Sequence, residues 1–518
     1  MEKKFSILYV HPEEHDNQNY FLSGILRISN YLNSKKELLK QEIQEVYLDL
    51  RLEDLPEFSY ETIEDYRKGL KDLLLNMRSN FDFDVVAISC FSSIYYLNTL
   101  EIAYLIKQYI KQDCIIVVGG VHPTILQEEF ALEGIPSFLQ ETYPKIACPI
   151  NVVMREEAEI GFFKLVQSLM EKQIKGENIF TDEFRVITSE IVQDLDQLPV
   201  IDLSLYEKYK KYINQIKCIF IDFCRGCPHR CLFCANSTDY MKCYRNVRLK
   251  SVDKCFEELD AIYNTEWLSI TEVFIIDPIF FPNRKLRDEF FEKLMSFRET
   301  HKGFPWNLNV LDRIDTCSQD DLEKYYKHNI NVQFGLESVS GELLHIMNKT
   351  PKRNIQKYLE KAREIIKYSN QAGFNIQLSF IQNFPGTTES IFEEIYNFFF
   401  KGKNGNHILM EKYFININWR LYEGFPRTRI YEECEERFGS YIYYKNWWKL
   451  PRDDQRELSR SIKPSSNFTL QRSLQSYLIF IKEAFKLQKN KTQFPYRKQL
   501  YEGQLEHIDK LVHELKNQ

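Results

Sequence analysis

Cys227, Cys231 and Cys234 stand in the segment CRGCPHRCLFCAN (224–236), spaced C-x3-C-x2-C, with Cys218 and Cys224 close upstream. Three thiolates on one tight loop can bind three irons of a cubane and leave the fourth iron without a protein ligand. A small molecule can chelate that open iron. Arg225, His229 and Arg230 bring positive charge to the loop, and a positive neighbourhood lowers cysteine pKa and favours ligation. The competing chemistry is a structural zinc site, which wants four ligands, often as two separated pairs; Cys224 is the available fourth. Cys255 falls on an apolar helix face and reads as core, Cys218 begins a strand, and the Cys224 thiol is expected near the metal.

The elements that must hold this loop follow from hydrophobic period. FSILYV (5–10), QEVYLDL (44–50), DVVAISCF (84–91), CIIVVGG (114–120) and INVVMREE (150–157) have strand length and pattern. Helical spacing lies between them, as in FLSGILRISNYL (21–32), near 97–112, and on to about 173. Strands alternating with helices imply a parallel sheet covered on both faces. The expected fold class is α/β, opening with a Rossmann-like doubly wound domain over 1–175, then a linker over 176–210. A second alternating series gives strands at 218–223, 271–277, 306–311, 331–338, 374–381 and 412–422, with helices between them. Asn283 is the expected N-cap of one such helix, and another ends near Gly373. Six such units predict a partial (β/α)6 TIM-type barrel over 211–425, whose chemistry belongs at the C-terminal ends of the strands. A helical C-terminal region is expected over 426–518. Its aromatic run SYIYYKNWW (440–448) reads as packing rather than a stacking platform.

Hydrophobic residues make up 44% of the 518, enough for a large core, and charged residues 27%. A net charge of −6 argues against a broad nucleic-acid-binding face. No signal peptide and no apolar stretch of membrane-spanning length is visible, so a cytoplasmic protein is expected. The twelve cysteines are then reduced thiols or metal ligands rather than disulfides.

The cysteine loop at the end of a first barrel strand resembles that of the radical S-adenosylmethionine superfamily. The resemblance implies a [4Fe–4S] cluster on Cys227, Cys231 and Cys234, with S-adenosylmethionine chelating the open iron. Its sulfonium would be cleaved by one electron to give a 5′-deoxyadenosyl radical, the electron coming from a reductant such as flavodoxin or ferredoxin. Further strand ends resemble the branch that carries an N-terminal cobalamin-binding domain. DPIFFPNRK (277–285) resembles that branch's D-D-x-F-T-x-N-R segment, with Asp277 matching the first aspartate and Pro278 replacing the second. FGLES (334–338) is similar to its fourth-strand motif, which implies that Glu337 and Ser338 reach the cofactor. FIQNFPGTT (380–388) is similar to its fifth-strand motif, which implies Asn383, Pro385 and Gly386 beside S-adenosylmethionine. Arg313 has a counterpart there as well.

VGGVHPT (118–124) closely resembles the G-G-x-H-P-T loop of the cobalamin domains, which implies corrinoid contacts from Gly119, Gly120, His122 and Thr124. Glycines there let the backbone approach a bulky ligand. VVMREEAE (152–159) resembles V-x-G-E-G-E: Glu157 and Glu159 match, while Glu156 and Ala158 replace the glycines. Glu157 is therefore a cofactor-binding candidate, whereas D-x-H-x-x-G, which would supply a ligating histidine, is absent. The function implied is cobalamin-dependent methylation of an unactivated carbon in a small, specialised metabolite. A second S-adenosylmethionine would restore the methyl group to the corrinoid. The alternatives are a radical cyclase, mutase or ring-contracting enzyme with cobalamin structural or absent, and a non-catalytic metal-binding interaction protein.

Overall fold

The computed structural model describes residues 4–13, 20–180, 183–212, 216–302, 304, 306–401, 416–451, 461–491 and 495–517. Two parallel sheets dominate it. The first contains β1 (Phe5–His11), β3 (Ile43–Asp49), β4 (Val85–Ser89), β5 (Ile115–Gly119), β6 (Val152–Arg155) and β7 (Arg185–Thr188), in the order β3-β1-β4-β5-β6-β7. All neighbours are parallel. Every residue of β1 is buried, as a strand covered by helices on both faces requires. The doubly wound layer expected from the apolar runs is thus present, and it has one more strand than they indicate. The segment 176–210, read as a linker, supplies β7. RVIT is short and only half-buried, so it lacks the continuous apolar run of a central strand.

The second sheet runs β15 (Asn416–Leu421), β14 (Gln377–Gln382), β13 (Ile330–Glu337), β12 (Asn307–Arg313), β11 (Glu272–Ile275), β8 (Cys218–Ile221) and β2 (Tyr20–Phe21). β8 and β11 to β15 are the six expected barrel strands, in sequential order; of the expected strand 412–422, residues 412–415 lie outside the described residues. β13 alternates buried and partly exposed residues, as a strand with one face inside a barrel does. The added edge strand β2 comes from the N-terminal region: Tyr20 pairs with Cys218 and Phe21 with Ile219, and the Tyr20 ring stacks on Phe220 at 4.2 Å. One hydrophobic cluster runs through this junction, from Phe5, Ile7 and Tyr9 across Phe21 and Leu26 to Ile219, Ile221 and Leu259.

Local signals set the helix ends. Asn283 accepts from the N–H groups of Lys285 and Leu286 at the start of the helix Arg284–Thr300, and Gly373 closes Ile355–Ala372 in a left-handed conformation, φ 82°. Beyond the barrel lie the helices Arg429–Phe438, Leu470–Lys491 and Pro495–Asn517. The run 440–448 packs as expected at its end, where Trp448 is buried and its indole N–H donates to Glu129 Oε2 at 2.7 Å. No helix among the described residues is long and apolar enough to cross a membrane.

Candidate functional site

The cysteine loop leaves the C-terminal end of β8 through the short strand β9 (Cys224–Arg225), which pairs antiparallel with β10 (Arg248–Leu249). Gly226 makes the turn into Cys227 at φ 95°, and a Cβ there would stand 2.2 Å from the Asn246 carbonyl oxygen. Only glycine tolerates both the conformation and the approach. The Cys227 N–H donates to the Tyr244 carbonyl at 3.0 Å and the Leu232 N–H to that of Met347 at 2.9 Å. Asn348 Nδ2 donates to the Arg230 carbonyl at 2.7 Å. The loop is therefore fixed from both sides by these contacts, with Cys231 buried and Cys227 and Cys234 partly buried.

Burial raises the Cys227 thiol pKa and pushes that of Cys234 up to about 11. The charges that oppose this are Arg313 and Lys349, which act on Cys227. This corrects the expectation for Arg225, His229 and Arg230. Burial holds His229 neutral, its pKa lowered to about 4; Arg230 is exposed; and Arg225 is bound elsewhere. Lys349 pairs with Glu337 at 3.2 Å, and Arg313 donates to Asp315 and to the Lys349 carbonyl. Glu337 sits at φ 62°, just past a bulge in the β13–β14 pairing. Strain of that kind is held only where the surroundings dictate it, and it gathers at functional sites.

Beneath the loop lies a buried network of Arg27, Arg225, Arg248 and Lys250 against Asp222, Glu157, Glu159 and Glu258. Arg27 donates to Asp222 at 3.0 Å and, bidentately, to Glu258 at 2.6 and 2.7 Å. Arg225 reaches Asp222 at 2.8 Å, Glu157 at 2.9 Å and Glu159 at 2.8 Å. Arg248 also grips Glu157, and Lys250 pairs with Glu258 at 2.9 Å. Cations and anions balance, which is how charges become tolerable in an apolar interior. Asp277 lies next to this network, fully buried. Its Oδ1 accepts from the N–H groups of Phe223 and Cys224, both at 2.8 Å, and its Oδ2 has no hydrogen-bond partner among the described residues. Burial raises its pKa to about 8.

A cavity of about 480 Å³ lies between the two sheets. The first sheet contributes His11, Ser89, Phe91, Gly119, Gly120 and Thr124; the barrel side contributes Cys224, Arg225, Ile276 and Pro278. These are C-terminal strand ends, where ligands of open α/β sheets bind. Phe91 is 53% and Ile276 41% exposed, so large apolar side chains stand uncovered at its wall. Gly120, at φ 122°, would place a Cβ 2.5 Å from the Cys90 carbonyl oxygen. The lining suits a bulky, partly apolar ligand.

The candidate residues separate into three groups. Cys227, Cys231 and Cys234 share the loop at the barrel mouth, with Glu337 within electrostatic reach of Cys234. Gly119, Gly120, Thr124 and Glu157 line the cavity, although Glu157 spends both oxygens on Arg225 and Arg248. Thr124 accepts the Glu156 N–H at 2.9 Å, holding Glu156 at φ 64°, a conformation glycine takes freely. The third group engages other parts of the chain. His122 does not line the cavity: Nδ1 meets Ser93 Oγ at 2.9 Å, and the ring packs among Tyr96, Phe130 and Trp448. Asn383 donates to the Ser473 carbonyl and accepts from Ser476. Gly386 N–H donates to the Pro464 carbonyl, and Pro385 is buried with it. Ser338 is fully buried and accepts the Ser340 N–H. Asp277 holds loop backbone. Sequence reasoning gave no part to Lys349 or His11, which lie in no recognisable motif.

The donor set fits an iron–sulfur cluster. No three His, Cys, Asp or Glu side chains among the described residues converge as ligands of a single ion would. Three thiolates on one loop can each ligate a different iron of one cubane. Residues 221–399 match the radical SAM superfamily model. An uncharacterized methyltransferase of Pyrococcus horikoshii is 27% identical over 330 residues, covering 61% of this chain and 64% of the relative. The anaerobic magnesium-protoporphyrin IX monomethyl ester cyclase of Rubrivivax gelatinosus is 23% identical over 362 residues, covering 67% of this chain and 57% of that protein. The chain thus spans somewhat less than two thirds of these relatives' lengths. Among solved structures, the radical S-adenosylmethionine methyltransferase TsrM of Kitasatospora setae, with cobalamin and a [4Fe–4S] cluster bound, superposes with TM-score 0.56 at 12% identity, covering 86% of this chain and 81% of TsrM. That likeness shows a shared fold. The similarity to the radical SAM superfamily thus lies in residues 221–399, and the shared fold extends to the parallel sheet ahead of the barrel.

Proposed function

We propose that the chain is a radical SAM methyltransferase that uses a corrinoid to methylate an unactivated carbon of a small molecule. The observation that carries this reading is the shared cavity: one space is walled by the strand ends of the Rossmann sheet and by Cys224 and Arg225, which lead directly into the cysteine loop. A ligand there adjoins the place where the radical is made. When bound, the cluster supplies the electron that cleaves S-adenosylmethionine, and the corrinoid supplies a methyl carrier. The chain's own part is positional. Cys227, Cys231 and Cys234 hold the cluster on a loop fixed by Gly226, Met347 and Asn348. Arg313 and Lys349 offset its charge. Gly119, Gly120 and Phe91 shape the corrinoid wall, and the buried network keeps the two walls in register and dry. A one-electron reductant such as flavodoxin or ferredoxin completes the system. All twelve cysteines are free thiols, which suits the reducing cytoplasm.

The ring-forming relative supports a second reading, a radical cyclase. Protein purified anaerobically from cells supplied with iron and cobalamin, then given S-adenosylmethionine and reductant, separates the two. Stoichiometric corrinoid and formation of S-adenosylhomocysteine alongside 5′-deoxyadenosine support methyl transfer. 5′-Deoxyadenosine alone, from protein that retains no corrinoid after reconstitution, overturns it in favour of the cyclase.

A further inference from the structure

The inner face of the barrel is divided between a polar and an apolar wall. Trp419 of β15 packs outward on Phe380, Phe399 and Phe480, so strand alternation turns Asn418 and Arg420 toward the bore. Ser379, in register with Asn418, shares that face and accepts from Gln333 Nε2. Deeper in the barrel, Asn331 donates to Asn309 and Asn309 to Glu272, both at 3.0 Å. Polar groups thus stand where a closed barrel packs branched apolar side chains. The wall formed by β8 and β11 is apolar. The Phe220 and Phe274 rings lie 5.2 Å apart, and Phe220 and Ile276 also line the shared cavity.

Arg420 is exposed, and its charge is not neutralised. Its Nε donates to Asn418 Oδ1 at 3.3 Å, and no carboxylate pairs with it among the described residues. The other two cations of the barrel mouth are spent, Arg313 on Asp315 and Lys349 on Glu337. Arg420 is in register with Ile381, one residue past Phe380, which pairs with Glu337. It therefore stands at the mouth, two strands and about 10 Å from Glu337. A guanidinium is always charged and presents a planar fork that fits a carboxylate bidentately. One such fork with no second free cation beside it matches a single negative charge, as a carboxylate carries, and not a phosphate dianion.

We propose that Arg420 anchors a carboxylate of the substrate, so that the molecule methylated is a carboxylic acid whose apolar body lies against Phe220 and Ile276. The inference rests on the small-molecule methyltransferase reading above and names its substrate class. The acid end is held on the polar wall, and the apolar carbons point to the shared cavity, where that reading puts the methyl carrier. Arg420 binds and orients; it makes and breaks no bond.

The probes are trifluoromethyl-labelled carboxylic acids with aliphatic, aromatic and polycyclic bodies, each matched with its primary amide. Full-length protein with an oxidised cluster and S-adenosylmethionine is titrated with each, and ¹⁹F line broadening reads binding. The expected result is that the wild type binds acids and takes the matched amides at least about tenfold more weakly. Arg420→Gln should erase that preference and Arg420→Lys should keep part of it. Arg429→Gln, in the helix beyond the barrel, should leave it intact. Iron content and circular dichroism establish that each variant has folded. Amides that bind as well as acids, a preference that survives in Arg420→Gln, or a wild type that binds none of the acids overturns the assignment. So does an Arg420→Gln protein that binds S-adenosylmethionine more weakly while still preferring acids, since the cation then serves the cofactor's own carboxylate. Corrinoid content and S-adenosylhomocysteine score the methyl-transfer reading separately, so its failure is distinct from failure of the acid site.

Discussion

Arg225 donates from Nη1 to Glu157 Oε2 at 2.9 Å, tying the strand that leads into the cysteine loop to the head of the helix Ala158–Ile174 in the Rossmann half. Among the described residues the same carboxylate is the only one bound to Arg248, whose other acceptors are carbonyls. Replacing Glu157 by Gln strands a buried guanidinium, and breaking such a pair from one side costs about 3–5 kcal/mol. Chemical denaturation should show that loss, together with lower iron per chain. The paired change Glu157→Leu with Arg248→Met should recover much of the stability. If Glu157→Gln weakens corrinoid retention alone, with the denaturation midpoint unmoved, Glu157 is a ligand-binding residue and not a structural one.

The three cluster cysteines and Cys224 should separate cleanly. Alanine at Cys227, Cys231 or Cys234 is expected to reduce iron and sulfide to background and abolish reductive cleavage of S-adenosylmethionine. Cys224→Ala should retain both, since this residue sits in β9, ahead of the loop, and lines the cavity. Zinc in the purified protein that disappears with Cys224→Ala would point instead to a four-cysteine structural site.

At Gly226, an added methyl meets a carbonyl oxygen at 2.2 Å and φ is 95°, so Gly226→Ala cannot be relieved by a side-chain rotation. The expected outcome is more than about 1 kcal/mol of destabilisation and failure to load the cluster, measured as absorbance near the visible iron–sulfur band and as iron per chain. Normal loading would show that the β9–β10 pairing is not what shapes the loop.

Asp277 predicts a pH signature. Its carboxyl pKa lies at about 8 in the folded chain, against an ordinary value of 3.8. Between these values the native state holds a proton that the unfolded state has released. The stability from this group is complete below about pH 4 and is lost as pH rises through about 8. Asp277→Asn keeps an oxygen for the Phe223 and Cys224 N–H groups and removes the titration. The unfolding free energy of wild type relative to the variant should therefore fall steadily from about pH 5 to pH 8. A difference that does not change with pH would show Asp277 to be ionised in the folded protein.

What could be read in advance depended on how far apart the interacting residues lie in the chain. The cysteine loop was legible because its chemistry is written in consecutive spacing. The central strands were legible because burial on both faces leaves an unbroken apolar run, and the Asn283 cap because its partners are Lys285 and Leu286. Roles that depend on distant partners were not. Nothing near Glu157 announces Arg248, and nothing near Asn383 announces Ser473 and Ser476, so motif position made both cofactor-side candidates without foreseeing their ion-pair and loop partners. The two histidines show the same limit. Both lie at strand ends of the Rossmann sheet, but His122 sits in the more recognisable motif, and only the fold reveals that His11 is the one on the cavity wall.

The two-residue strand Tyr20–Phe21 bears on how this protein can be made at all. It covers the open side of Cys218–Ile221, the strand from which the cysteine loop departs. Cut the chain anywhere between the halves and that side is left with bare N–H and C=O groups, a template for pairing with other molecules. The barrel is therefore not a portable cassette to be expressed alone or grafted elsewhere. During synthesis the covering strand leaves the ribosome long before the strand it will cover, so the first half waits as a ready-made docking edge and the second half assembles against it.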